Sequence, residues 1–266
     1  MAVDAATKKE YNGIIAEKKH ELDGLDKQIK DLDKRFKNSE KLGPFYRLAK
    51  CQRYIEVCQV NLDMNKASMQ MMGVHNNRYL DAGKGTISKI FTDMESLYTN
   101  VVDDSLDHNR EQLNTMHPFN PRKKLNFYKY LKKCIDQLKD GYGANTKWKW
   151  WFPDAYSRAA ILGKNMIDYR EMQAIKHPNE EFFSDRREFL EVIKQDLFAC
   201  SKEQNNKFEL STKNTDTLMY AVRLLEALKR ITGVMGDSEM GKKAKSGIDV
   251  YRARLEAEES NKKKKR

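Results

Sequence analysis

The chain is predicted to be all-α: an elongated antiparallel three-helix coiled-coil bundle followed by a second helical bundle. Three observations predict it. Apolar residues recur at three-and-four spacing through two long runs, one Gly43-Pro44 corner separates those runs, and no segment shows the alternation of a half-buried strand. An apolar position every 3.5 residues on average forms one stripe on a slightly underwound helix, and that stripe is buried only against another helix.

The first run places Ile15, Leu22, Ile29 and Phe36 in alternation with Tyr11, Lys18, Leu25, Leu32 and Ser39. It predicts a helix from about Thr7 to Asn38, roughly 45–50 Å long at ~1.5 Å per residue. Gly13 and Gly24 weaken it locally, and Lys18 interrupts its seam. Pro44 suits the first turn of the second helix. There Leu48, Ile55, Leu62 and Met69 alternate with Cys51, Cys58, Asn65 and Met72. A second stripe of Phe45, Ala49, Val57, Val60, Met64, Ala67 and Met71 lies on another face, so this helix needs two neighbours. The third helix supplies one, with Leu80, Ile87, Ile90, Met94, Leu97 and Val101 after the polar break Gly73 to Arg78. Residues 1–116 therefore read as the three-helix region, with Lys18 and Asn65 as polar seam residues that fix register.

Two prolines in Met116-His-Pro-Phe-Asn-Pro-Arg122 mark the domain boundary. Asn120 and Pro121 then cap and open a fourth helix with Leu125, Tyr128, Leu131, Ile135 and Leu138 inward, ending near Gly141. An aromatic connector, Trp148 to Phe152, leads to a fifth helix at Pro153-Asp154, with Tyr156, Ala159, Leu162, Met166 and Tyr169 on its stripe before Pro178. Asp185 and Glu188 stand in capping-box spacing before Leu190, Ile193, Leu197 and Cys200. The most apolar helix carries Leu218, Ala221, Val222, Leu225 and Leu228 ahead of Gly233 and Gly236, and is the expected centre of a second bundle over residues 117–255. A last helix has the narrow stripe Met240, Ala244, Ile248, Tyr251 and Leu255. Residues 256–266 lack apolar periodicity and are expected to form a disordered basic tail.

The totals bound the function classes. Of 266 residues 33% are charged and 39% apolar, too apolar and too periodic for disorder. The formal charge of +11 points to an anionic partner, and Lys262 to Arg266 supply +5 of it. Cys51, Cys58, Cys134 and Cys200 are too scattered to read as a disulfide framework or zinc set. The first residues turn charged at once and no apolar run spans a bilayer, so a reducing, cytoplasmic setting is the expectation.

The densest basic and aromatic stretch, Phe119 to Trp151, sets nine lysines and arginines against Asp136 and Asp140, a net +7 in 33 residues. Within it Arg122, Lys129, Lys132, Lys133, Lys147 and Lys149 are candidate phosphate contacts, with exposed Trp or Tyr as stacking surfaces. Trp148, Trp150 and Trp151 are equally candidate protein-docking anchors, joined by the adaptable Met69 and Met72; the plain alternative is that these aromatics and methionines fill a core or a seam. Asp103, Asp104, Asp107 and His108, placed late in the third helix, are expected to be a surface ion-pair cluster and not a metal site. Ala82-Gly83-Lys84-Gly85-Thr86 departs from a phosphate loop in having Gly85 after Lys84 and no strand before it. His20, His75, His108, His117 and His177 are scattered over turns and polar faces, and no serine or cysteine stands in a nucleophile context. The reading is a non-enzymatic scaffold or adaptor without cofactor or metal, acting through coiled-coil and aromatic-anchored contacts with a partner protein, a larger assembly or its own copy. The alternative is a helical protein that binds RNA or single-stranded DNA through the basic-aromatic surface.

Overall fold

A computed structural model describes residues 4–39, 41–211 and 213–264, with side chains as far as 260. The described residues form helices α1 (Ala5–Lys37), α2 (Gly43–Met72), α3 (Asn77–Tyr98), α4 (Arg110–Thr115) and α5 (Pro121–Tyr142). They continue as α6 (Trp151–Asn165), α7 (Tyr169–Ala174), α8 (Phe183–Leu210), α9 (Thr215–Met235) and α10 (Ser238–Lys264). No strand occurs among them, so the all-α class holds. The chain divides into two compact units, one of residues 1–97 with 126–152 and the other of residues 98–125 with 153–266. The first unit is thus discontinuous, and the boundary expected at Met116 falls inside the second.

In the first unit α1 and α2 form the expected antiparallel hairpin. Asp4 opens α1 by accepting from the Thr7 N–H at 2.8 Å, and Pro44 sits in the first turn of α2. Ion pairs fix the register: Lys18 reaches Asp63 at 3.5 Å and Lys50 reaches Asp33 at 2.9 Å. Lys50 also meets Asp93 of α3 at 3.0 Å, tying three helices together. Burial opposes its charge most strongly, but the two carboxylates outweigh burial and hold its pKa above the ordinary lysine value. Asn65, expected as a seam residue, is buried and accepts from the Asn76 N–H at 2.8 Å, so its amide fastens the α2–α3 turn. The two-faced pattern of α2 also holds, since Leu48, Cys51, Cys58, Val60, Leu62 and Met64 are all buried.

The second half of α5 adds a fourth helix to this unit. A Cβ on Gly83 would lie 3.1 Å from Leu138, and one on Gly141 would lie 2.7 Å from Leu80 and 3.3 Å from the Asn65 amide. These approaches run α5 antiparallel to α3, with Leu131, Ile135 and Leu138 fully buried. The three-helix expectation therefore lacked one member. Local periodicity shows that a stripe exists, while its partner lies some 76 residues away, at the separation of Asn65 and Gly141. Cys58 and Cys134 hydrogen-bond in this core, and that bond together with burial holds the Cys58 thiol well above its ordinary pKa.

The second unit is built around α9, which packs on both α8 and α10. Leu218, Ala221, Val222, Leu224, Leu225, Leu228 and Ile231 are buried, as expected of a central helix. α6 lies antiparallel to α8, joined by Gln204 to Asp154 at 3.0 Å and to Ser157 at 3.1 Å, and by Lys207 to Asp154 at 2.6 Å. α10 closes on α9 at Gly247, where an added Cβ would stand 2.7 Å from Leu225. Gly247→Ala is expected to lower stability by about 1–3 kcal/mol, because the buried Leu225 has to move. Gly233→Ala, on open helix surface, should stabilise by about 0.5–1 kcal/mol instead. Urea melts of the two variants check the contrast.

Residues 256–264 correct the tail expectation, because α10 continues through them. No Gly or Pro interrupts that stretch, and its glutamates precede its lysines at the favourable four-residue spacing. Lys265 and Arg266 lie outside the described residues. A second correction concerns Asp103 to His108, which stand in a loop and not on α3. α3 ends at Tyr98, and Thr99 turns left-handed at φ 74°.

Candidate functional site

In the first unit the aromatic connector folds onto α3 and the end of α5. The Tyr142 hydroxyl donates to Asp81. Phe152 is buried and meets the rings of Tyr142 and Trp151 edge-on at 6.2 and 5.1 Å. Trp148, Trp150 and Trp151 are half-buried. Lys84 and Lys147 both lie over the Trp148 ring, and Lys149 lies 4.9 Å from the Trp150 centroid. Desolvation lowers the Lys84 pKa, Asp81 opposes that shift, and Lys147 adds to it. Met69 and Met72 are half-buried at the end of α2, ahead of Val74, which is exposed.

The basic face of α5 is less uniform than its spacing suggests. Lys129 and Lys133 are exposed, Lys132 lies over the Tyr128 ring at 5.8 Å, and Tyr130 between them is 57% exposed. Arg122 does not join this group. It belongs to the second unit, where it pairs with Asp185 at 3.2 Å and stacks on Phe182 at 5.6 Å.

In the second unit the 99–109 loop is tied down by its acidic residues. Asp103 accepts two bonds from Arg230 at 2.9 and 3.1 Å, Asp107 pairs with Arg170 at 2.5 Å, and Asp104 with His108 at 3.0 Å. The Asn165 amide donates to the freed carbonyls of Thr99 and Val101 at 3.1 and 3.2 Å. Every carboxylate of the loop thus has a basic partner, the arrangement expected of an ion-pair cluster. Among the described residues no group of three or more His, Cys, Asp and Glu is placed to hold a metal.

Besides Lys194, which pairs with Glu191 and Asp237, two buried lysines of the second unit were missed from the sequence. Lys124, 9% exposed, lines a half-open cavity of about 20 Å³ with Pro121, Asp168, Glu171, Arg186 and Phe189. Lys164, 6% exposed, lines one of about 10 Å³ beside Asp104, His108 and Tyr169. Burial pushes each down to about 8, against the pull of Glu171 and Asp168 on Lys124 and of Asp103 and Asp104 on Lys164. A signal for the first was in the sequence: Lys124 falls in register with Tyr128, Leu131 and Ile135, on the stripe that faces inward. Lys164 had a weaker one, as a single cation in the apolar run Ala159 to Ile167.

With this geometry in place, comparison with known protein families matches the chain to the TP0443 family model over residues 7–259. The chain belongs to the TP0443 family. The matched span takes in both units, so the discontinuous arrangement lies within the TP0443 region. Comparison with curated proteins and with solved structures gives no match.

Proposed function

We propose that this TP0443-family protein is a non-catalytic adaptor whose first unit docks an acidic segment of a partner protein. The observation that carries the reading is the seating of Lys84, Lys147 and Lys149 on half-buried indoles. A lysine held over an aromatic ring loses part of its rotamer freedom beforehand, so pairing it with a carboxylate costs less entropy than pairing a free one. Trp148 and Trp150 supply area at the same place, as interface anchors do. The same seating disfavours the nucleic-acid alternative, since indole faces covered by ammonium groups are poor platforms for bases. Loss of Arg122 to Asp185 also shortens the row of candidate phosphate contacts.

Titration of the full chain with an Asp/Glu-rich peptide, followed by tryptophan fluorescence, tests the proposal. Binding should weaken with added salt, and Lys147→Glu with Lys149→Glu should cost roughly tenfold or more in affinity. No binding at low salt overturns the docking surface. Tighter binding of an unstructured oligothymidylate, with a steep fall in affinity between ~50 and 200 mM salt, overturns the choice of partner in favour of nucleic acid.

A further inference from the structure

We propose that Lys124 is a covalent capture site for a short, neutral aldehyde, which it binds as an imine inside the second unit. The proposal is independent of the docking surface. Its first support is that the Lys124 side chain is only 9% exposed, with Nζ 5.8 Å from the centroid of the Tyr98 ring. Asp168 and Glu171 draw on its charge and Arg186 opposes it, and all three line the same cavity.

The second support is the orphaned donor. Arg186 lines the same cavity and gives its terminal nitrogens to Glu171 and to the Glu181 carbonyl, but its Nε–H is buried with no acceptor. The Tyr98 hydroxyl is buried and unpartnered as well. An unused N–H lining the same cavity as an amine of lowered pKa matches what carbonyl addition needs, a nucleophile and a donor to polarise the oxygen.

The third is size and charge. A cavity of about 20 Å³, open on one side, has room for one or two non-hydrogen atoms inside and lets a short chain trail outwards. Arg186 is matched by Glu171, and Asp168 is engaged with the N–H groups of Arg170 and Glu171 at 3.0 Å. The pocket therefore has no surplus positive charge for an anion, and its carboxylates favour a protonated imine once formed.

The step balances without a further reagent. The Lys124 nitrogen lone pair forms the C–N bond and the carbonyl π pair moves to oxygen, which takes a proton from nitrogen to give the carbinolamine. Nitrogen then forms the C=N bond as the hydroxyl, with a second proton, leaves as water. With the amine pushed down to about 8, its uncharged fraction at pH 7.5 is on the order of a hundredfold above that of an exposed lysine.

The experiment is brief labelling of the unmodified full chain with acetaldehyde and cyanoborohydride at pH 7.5, with the modified lysines mapped by peptide mass spectrometry. Lys124 should be alkylated at least about tenfold faster than exposed Lys129 and Lys133, and Lys124→Arg should remove the fast site alone. Lys164 is the internal control, equally buried and with its pKa lowered to the same value, but in a cavity of about 10 Å³ with no orphaned donor among the described residues. Labelling of Lys124 no faster than of the exposed lysines overturns the proposal. Labelling of Lys164 as fast as Lys124 overturns it too, because acidity alone would then account for the reactivity.

Discussion

Leu138→Ala is expected to destabilise the first unit by about 2–5 kcal/mol, the cost of emptying a fully buried leucine site. The loss should be read in helices far from it in sequence. Hydrogen exchange of α1, α2 and α3 should accelerate, since Leu138 closes against Gly83 of α3, beside Cys58 of α2. A fragment ending at Met116, which contains those three helices and omits α5, should fail to unfold cooperatively. Protection of α1 to α3 unchanged by Leu138→Ala, or a cooperative melt of the fragment, would return the first unit to three helices.

The second large effect is a pH-dependent contribution of the buried lysines to stability, read as the difference between the natural chain and a lysine variant. Lys124 and Lys164 lose their protons at about 8 when folded and near the ordinary ~10.4 when unfolded. Between those values the unfolded chain holds more protons, so unfolding becomes harder as pH rises, by up to about 3 kcal/mol per lysine. Below pH 8 both carry their full burial penalty. Cys51, Tyr98 and Tyr169, held up by burial, and Cys58, held up by its bond to Cys134 and by burial, cost stability as pH rises through their ordinary pKa values and oppose the lysines, but they do so equally in the natural chain and in a Lys124 variant. Lys124→Met should therefore be about 2–3 kcal/mol more stable than the natural chain at pH 7 and no more stable at pH 10. Urea melts across pH 7–10 check this, and a stability difference between the two proteins that does not change with pH would show that Nζ reaches solvent.

Most of the fold was legible because it is local. The α1–α2 hairpin, the corner at Pro44, the Asn120 cap and the centrality of α9 all follow from spacing within a few turns of helix. What was not legible depends on distant partners. Nothing near residue 126 says that Leu131 and Leu138 face α2 and α3, and nothing near Tyr98 says that Asn165 will hold the released carbonyls of the next loop. The site divides in the same way. Trp148 and Trp150 stand out by residue type, and the structure leaves both half-buried. Lys124 looks like one more member of a basic run until its helical phase is counted, because net charge averages over a face while burial acts on one side chain. Arg122 shows the converse error: its spacing matches Lys129 and Lys133, but Asp185 and Phe182 claim it.

Because α5 starts in one unit and finishes in the other, the backbone changes unit three times, after residues 97, 125 and 152. During synthesis the opening hairpin emerges from the ribosome with its greasy inner side waiting for a segment not yet made. Some fifty further residues must appear before that side is covered. The interval is a window in which a chaperone, or the same stretch of a neighbouring nascent chain, competes for the vacancy, so yield in cells should depend more on translation speed across residues 98–152 than on the stability of the finished molecule.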